Sequence, residues 1–176
     1  FNKYIKIIIQ VLIITIYFST LHAKNPQKYE IGESISNYLS GTILLNDNKF
    51  DDSYSRFKKL EGLELYHNNF SSKYLFSLIN SENFNEAFKY SKKLEREKIN
   101  NFESDLIIGV YYLKNDKFDL AKKYFKKIDN KNSQFLINNF LSKSLLNWSS
   151  FKSKNFKEAK NDIDRIEQRF SNLKKI

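Results

Sequence analysis

Cysteine is absent from all 176 residues. That excludes disulfide staples, thiolate metal sites, a cysteine nucleophile and an acylated lipoprotein cysteine, and it is compatible with any redox compartment. Proline occurs once and glycine four times, so the chain is poor in breakers. With no Asn-Gly type dipeptide and few short alternating runs, the pattern favours helices over strands. Histidine occurs twice, as His22 near the N-terminus and His67 in the hydrophilic stretch LYHNN, so a zinc site would rest on carboxylates alone. No HExxH, glycine-rich phosphate loop or GxSxG is present. Carboxylate pairs such as Asp51-Asp52 and Asp162/Asp164 fall on polar helix faces among lysines, where solvated surface is the expected reading rather than a general acid–base pair. The expectation is a protein that is not an enzyme, with no catalytic residue, no metal ligand and no cofactor.

The charge balance is strongly basic, +10 at neutral pH. Lysines come singly or in twos beside acids, as in KKLEREK at 92–98, and no dense basic block or arginine-rich arm appears. A solvated surface is therefore expected, and no nucleic acid partner. The length suits one domain with a sizeable core.

Residues 1–23 differ from the rest. FNKYIKIIIQVLIITIYFSTLHA carries Lys3 and Lys6 and no acid, then runs nearly unbroken apolar from Ile7 to Phe18. A positive start, a short apolar run and a small residue at the end make up a secretory leader. The run is shorter than the ~20 residues of a bilayer span. Leu21 fits a cleavage site only moderately, so residues 1–23 read as a signal peptide or an uncleaved N-terminal anchor. The first residue is Phe, and the reading frame is expected to begin slightly upstream. An exported protein follows, periplasmic or held at the inner membrane by that leader, with no other membrane contact. Residues 24–28, around Pro26, form a linker to a helical body at 29–176.

Four phrases within that body resemble one another: NKFDDS, ENFNEA, DKFDLA and KNFKEA. Their phenylalanines are Phe50, Phe84, Phe118 and Phe156, spaced 34, 34 and 38 residues apart. From each, apolar or small residues recur at helical steps: Phe50, Ser53, Phe57, Leu60; Phe84, Ala87, Ser91, Leu94; Phe118, Ala121, Phe125, Ile128; Phe156, Ala159, Ile163, Ile166. A helix is predicted before each phrase, in the third copy over 102–114, with a short turn of Asn, Asp, Ser and Lys able to cap the second helix. The short connection makes the two helices antiparallel neighbours. The small residues Ser53, Ala87, Ala121 and Ala159, with Gly41 and Gly109 on the facing helix, let backbones approach to about 8–10 Å. Each repeated phenylalanine is expected to plug the tight end of its hairpin, one rung of a core shared by stacked hairpins. Four extra residues are expected in the loop DNKNSQ, 129–134.

The 34-residue period with its Phe-x-x-small signature resembles the tetratricopeptide repeat family. The family's Gly corresponds to Gly41 and Gly109, its small residue to Ser53, Ala87, Ala121 and Ala159, and its later aromatic to Phe57 and Phe125. Leu75 and Asn147 depart from the Gly, and no Pro closes a repeat. The resemblance implies an all-α right-handed α-α superhelix of about four hairpins, near 34–67, 68–101, 102–135 and 140–173. It further implies a concave groove, lined by the first helices, that holds a peptide or protein partner. The groove positions carried over are Tyr38, Thr42, Leu45 and Asn46; Ser72, Phe76, Ile79 and Asn80; Glu103, Leu106, Val110, Leu113 and Lys114; and Ser144, Trp148, Phe151 and Lys152. The function so implied is a non-catalytic scaffold of the bacterial cell envelope. The alternative is a homo-oligomer formed through the stripe Ile163, Ile166, Phe170 and Leu173.

Overall fold

The structure, a computed structural model, describes residues 31–131, 136–164 and 166. Among them are eight α-helices: α1 Ile31–Asn46, α2 Phe50–Lys58, α3 Phe70–Asn80, α4 Phe84–Arg96, α5 Phe102–Lys114, α6 Phe118–Lys131, α7 Leu136–Lys152 and α8 Phe156–Asp164. One 3₁₀ turn, Leu63–Leu65, lies between α2 and α3. The architecture is all-α, and each helix packs mainly on its neighbours in the chain, with α3 also touching α5. The described residues from Ile35 onward belong to one compact unit; of the other, 1–34, only the first turn of α1 is described. The leader at 1–23 and the linker at 24–28 lie outside the described residues. Helix α5 has the bounds expected of it, 102–114. Of the stretch expected to loop at 129–134, residues 129–131 instead continue α6, and 132–134 lie outside the described residues.

The turns inside each pair of helices share one geometry. Asn48, Glu82, Asp116 and Lys154, each two residues before a repeated phenylalanine, have φ between 57° and 61°. In the first turn Asn48 N–H donates to Leu45 O and Lys49 N–H to Leu44 O, at 3.2 and 2.8 Å. The same two bonds recur after α3, α5 and α7. This is the Schellman ending, which satisfies the last carbonyls of a helix and reverses the chain. Glycine normally takes the left-handed position; here charged residues take three of the four. Lys98 repeats the arrangement after α4. Side-chain capping is less uniform than expected. Asn155 Oδ1 accepts from the Glu158 N–H, and Asn101 forms a reciprocal capping box with Ser104, but Lys49 and Asn83 cap nothing.

The buried rungs lie deeper in the second helices than the repeated phenylalanines. Ser53, Ala87, Ala121 and Ala159 are all buried, as are Phe57, Ser91, Phe125, Leu60, Leu94, Ile128 and Ile166. Phe50 and Phe118, by contrast, are only half-buried, and Phe84 and Phe156 are 49% and 60% exposed. The expected plugs are therefore lip residues. Each opens its helix at the lip of the turn, whereas the residue seven places on lies about two helical turns further from that lip. Ile163 is half-buried; Phe170 and Leu173 lie outside the described residues.

A complementarity of volume marks the first three pairs at a constant offset of 16 residues. Gly41 faces Phe57: a Cβ built on Gly41 would sit 2.7, 2.9 and 3.2 Å from three Phe57 ring atoms. Gly109 stands to Phe125 in the same way. In the second pair the assignment inverts, with Leu75 in the first helix and Ser91 in the second, both buried. The fourth pair has Asn147 and Ile163 at these positions. Where one helix supplies bulk the other withdraws it, which is how a packed seam reaches interior density. Polar bonds reinforce the same crossing: Ser53 Oγ donates to Gly41 O at 2.8 Å, and Asn147 Nδ2 donates to Ala159 O.

Two apolar clusters result. The first joins Phe57, Leu60, Phe70, Tyr74, Leu75, Leu78, Ala87, Tyr90 and Leu94. The second joins Ala121, Phe125, Ile128 and Leu146. Each fully buried Phe or Leu contributes roughly 1.5–3 kcal/mol.

Candidate functional site

Helix α5 sets one stripe beside α3. Glu103, Leu106, Ile107, Val110 and Lys114 recur at steps of three and four, so they share a face. From α3, Ser72, Leu75, Phe76, Ile79 and Asn80 line the same space. Together these walls bound a cavity of about 1030 Å³, closed by Leu45 of α1 and by Phe84 and Asn85 of α4. Its interior is apolar, with Phe76 54% and Val110 43% exposed into solvent-accessible space. Ser72, Lys73, Asn80, Glu103, Lys114 and Asn115 supply the polar edge.

The structure thus brings Leu45, Ser72, Phe76, Ile79, Asn80, Glu103, Leu106, Val110 and Lys114 into the walls of one cavity. Other positions carried over from the resemblance lie elsewhere. Tyr38 packs at a tilt against His67 and Phe57, at ring distances of 4.9 and 6.3 Å, and Lys73 Nζ stands 4.9 Å over its ring. Thr42 Oγ1 accepts from Lys73 Nζ at 3.2 Å. Both are engaged by the second helix pair. Asn46 is exposed. Leu113 packs into the second apolar cluster. Ser144 Oγ donates to Phe140 O. Trp148, 60% exposed, and exposed Lys152 lie on α7, where Phe151 packs edge-on against Phe156 at 5.5 Å.

Phe84, Ile107, Tyr111, Asn85 and Asn115 also line the cavity and were not expected there. Ile107 was legible as the residue four after Glu103 on the same helix face. Phe84, expected in the core, stands at the start of α4, directly after the turn that ends α3, and so lines the cavity. Phe50 and Phe84 share this relation to the next pair. Phe50 packs edge-on to Phe76 of α3 at 6.1 Å, and Phe84 shares the cavity with Val110 of α5. Phe76 and Val110 occupy equivalent repeat positions.

Several charges away from the cavity are paired or buried by the fold. Lys93 Nζ donates to buried Glu64 at 2.6 Å, and Lys127 Nζ to buried Asp105 at 2.7 Å. Asp162, expected on a solvated face, is buried instead and accepts from Ser150 Oγ at 3.1 Å. The Lys122 hydrogen bond, with its charge, holds the Glu158 carboxyl below the usual range. Burial pushes the Glu95 carboxyl up, but hydrogen bonds from Lys92 and Tyr124 outweigh it and hold the group low. Burial, then the charge of Glu61, raises the Tyr74 phenol; burial and Glu64 raise Tyr90. Both phenols stay protonated at neutral pH. Among the described residues no group of three His, Asp or Glu gathers as a metal site, and no helix is long and apolar enough to cross a membrane. No protein-family model and no curated protein matches the chain.

Proposed function

We propose that the chain is an exported tetratricopeptide-like scaffold, a right-handed solenoid of antiparallel helical hairpins that works by binding and not by catalysis. Its leader sends it to the periplasm or holds it at the inner membrane. The cavity between α3 and α5 is the groove in which a segment of a partner protein rests. One observation carries this reading: Phe76 and Val110, at equivalent repeat positions, and Phe84 beside them are large apolar side chains left exposed around one recess. Apolar surface gathered in a polar-rimmed recess marks an interaction site more often than leftover core. The 34-residue period and the shared turn geometry support the solenoid.

The test is a photo-crosslinking amino acid placed at Val110 in producing cells, with exposed Lys123 on α6 as control. A discrete adduct with a second protein from position 110, absent from 123 and lost in Phe76→Asp, is expected. Equal labelling from both positions would dismiss the groove.

A further inference from the structure

We propose that the cavity selects an extended peptide segment by charge: apolar side chains in the middle, an acidic residue at the Lys114 end and a basic residue at the Glu103 end. This rests on the groove reading above and goes further, to the chemistry of the occupant.

Glu103 and Lys114 lie eleven residues apart on α5, which places them about 16 Å apart along the axis and within about 20° of one face. They mark opposite ends of the apolar stripe. Neither makes an ion pair among the described residues. Lys114 Nζ rests 5.9 Å over the Phe84 ring, at the cavity's end. Lys73, the other cation at the edge, is turned to Thr42 and Tyr38 and does not neutralise Glu103. Elsewhere half-buried Lys93, Lys122 and Lys127 pair with acids across helices, so half-buried Glu103, without an ion pair at one end of an apolar recess, stands out, and exposed Lys114 is the cation at the other end. An occupant that covers them strips water from both, and opposite charges on the occupant make up that loss.

The edge amides favour an extended backbone over a helix. Asn80 Nδ2 donates to Phe76 O and Asn115 Nδ2 to Tyr111 O, at 2.8 and 2.7 Å. Each side chain is thereby fixed with its Oδ1 left as an acceptor. An extended segment brings unpaired N–H groups to such acceptors, whereas a helix has spent its own. Sixteen ångströms spans about five extended residues.

The full chain in mild detergent is titrated with fluorescein-labelled hexapeptides that share the core Leu-Phe-Val-Leu. They carry Glu and Lys at the two ends in either order, Glu at both, Lys at both, or Gln at both. The mixed-charge peptides are expected to bind at least about tenfold tighter than the Gln peptide. In Lys114→Glu the preference passes to the peptide with two Lys; in Glu103→Lys it passes to the one with two Glu. Both positions are solvent-accessible, so helix content by circular dichroism stays unchanged. Equal affinity of all peptides, within about twofold, overturns the charge selection while leaving a Val110 crosslink, and so the groove, intact. No binding by any peptide, or binding of laurate in their place, overturns the occupant; a missing crosslink as well removes the groove.

Discussion

Replacing Gly41 with alanine sets two effects of opposite sign against each other. Glycine inside a helix costs about 0.8–1.0 kcal/mol relative to alanine, so propensity alone makes Gly41→Ala stabilising. The packing argues otherwise. The new Cβ would meet Phe57 Cε1 at 2.7 Å, Cδ1 at 2.9 Å and Cζ at 3.2 Å. Carbon atoms rest at about 3.5–4.0 Å, so the ring must retreat by roughly 1 Å. It has little room. Phe57 is fully buried, held edge-on by Phe70 at 5.8 Å and flanked by Tyr38. Overpacking of this kind costs typically 1–3 kcal/mol, and with three ring atoms involved the upper half of that range applies. The net expectation is a loss of about 1–2 kcal/mol. Phe57→Ala alone loses about 3–5 kcal/mol. In that background Gly41→Ala meets no ring, and its sign reverses to a gain of about 1 kcal/mol. The cycle therefore yields a coupling of about 2–3 kcal/mol, read from urea unfolding followed at 222 nm. Gly32, whose Cβ would meet nothing within 4 Å, is the matched control and loses nothing on becoming alanine. A higher midpoint for Gly41→Ala in the wild-type background would refute the close-approach argument.

Lys154 holds a left-handed backbone at φ 61° in an exposed turn, so Lys154→Gly should stabilise by about 1 kcal/mol and raise Tm by a few degrees in a thermal scan. Ser53 and Ser91 look alike in sequence, yet Ser53 Oγ donates to Gly41 O and buried Ser91 Oγ has no hydrogen-bond partner; Ser53→Ala should cost about 1 kcal/mol, while Ser91→Ala costs nothing or gains slightly in the same unfolding assay. Glu158 has a depressed folded pKa, so its contribution is present above the ordinary carboxylate pKa and disappears as pH falls through the folded value. Wild type should exceed Glu158→Gln by roughly 0.5–1 kcal/mol at neutral pH, the gap closing below about pH 4; a gap that persists in acid would refute the ion pairs to Lys122 and Lys126.

Periodicity made much of this fold legible, because it reports angle around a helix axis. The bounds of α5, the burial of the four small residues and the facing of Gly41 toward the second helix all follow from angular position. Depth along the axis is a different quantity. Phe84 has the right angle for the core but begins its helix, and so it lies on the rim. The left-handed turn positions carry no glycine signal in the sequence, because Glu82, Asp116 and Lys154 hold them. Asp162 looked like one more acid among lysines until Ser150 proved to be its partner. The residues around the cavity were legible as a face, but the space between α3 and α5 depends on how two helices sit apart, which neither helix encodes alone.

The inverted bulk of the second pair bears on how the chain finds its alignment. Neighbouring repeats this similar invite exchange, one helix docking on the wrong mate while the chain folds. Were α3 to take the place of α1 on α2, Leu75 would meet Phe57; were α1 to take the place of α3 on α4, Gly41 opposite Ser91 would leave a hole. Exchange between these two neighbouring pairs is penalised by shape alone, so the inversion acts as a key to their order of assembly.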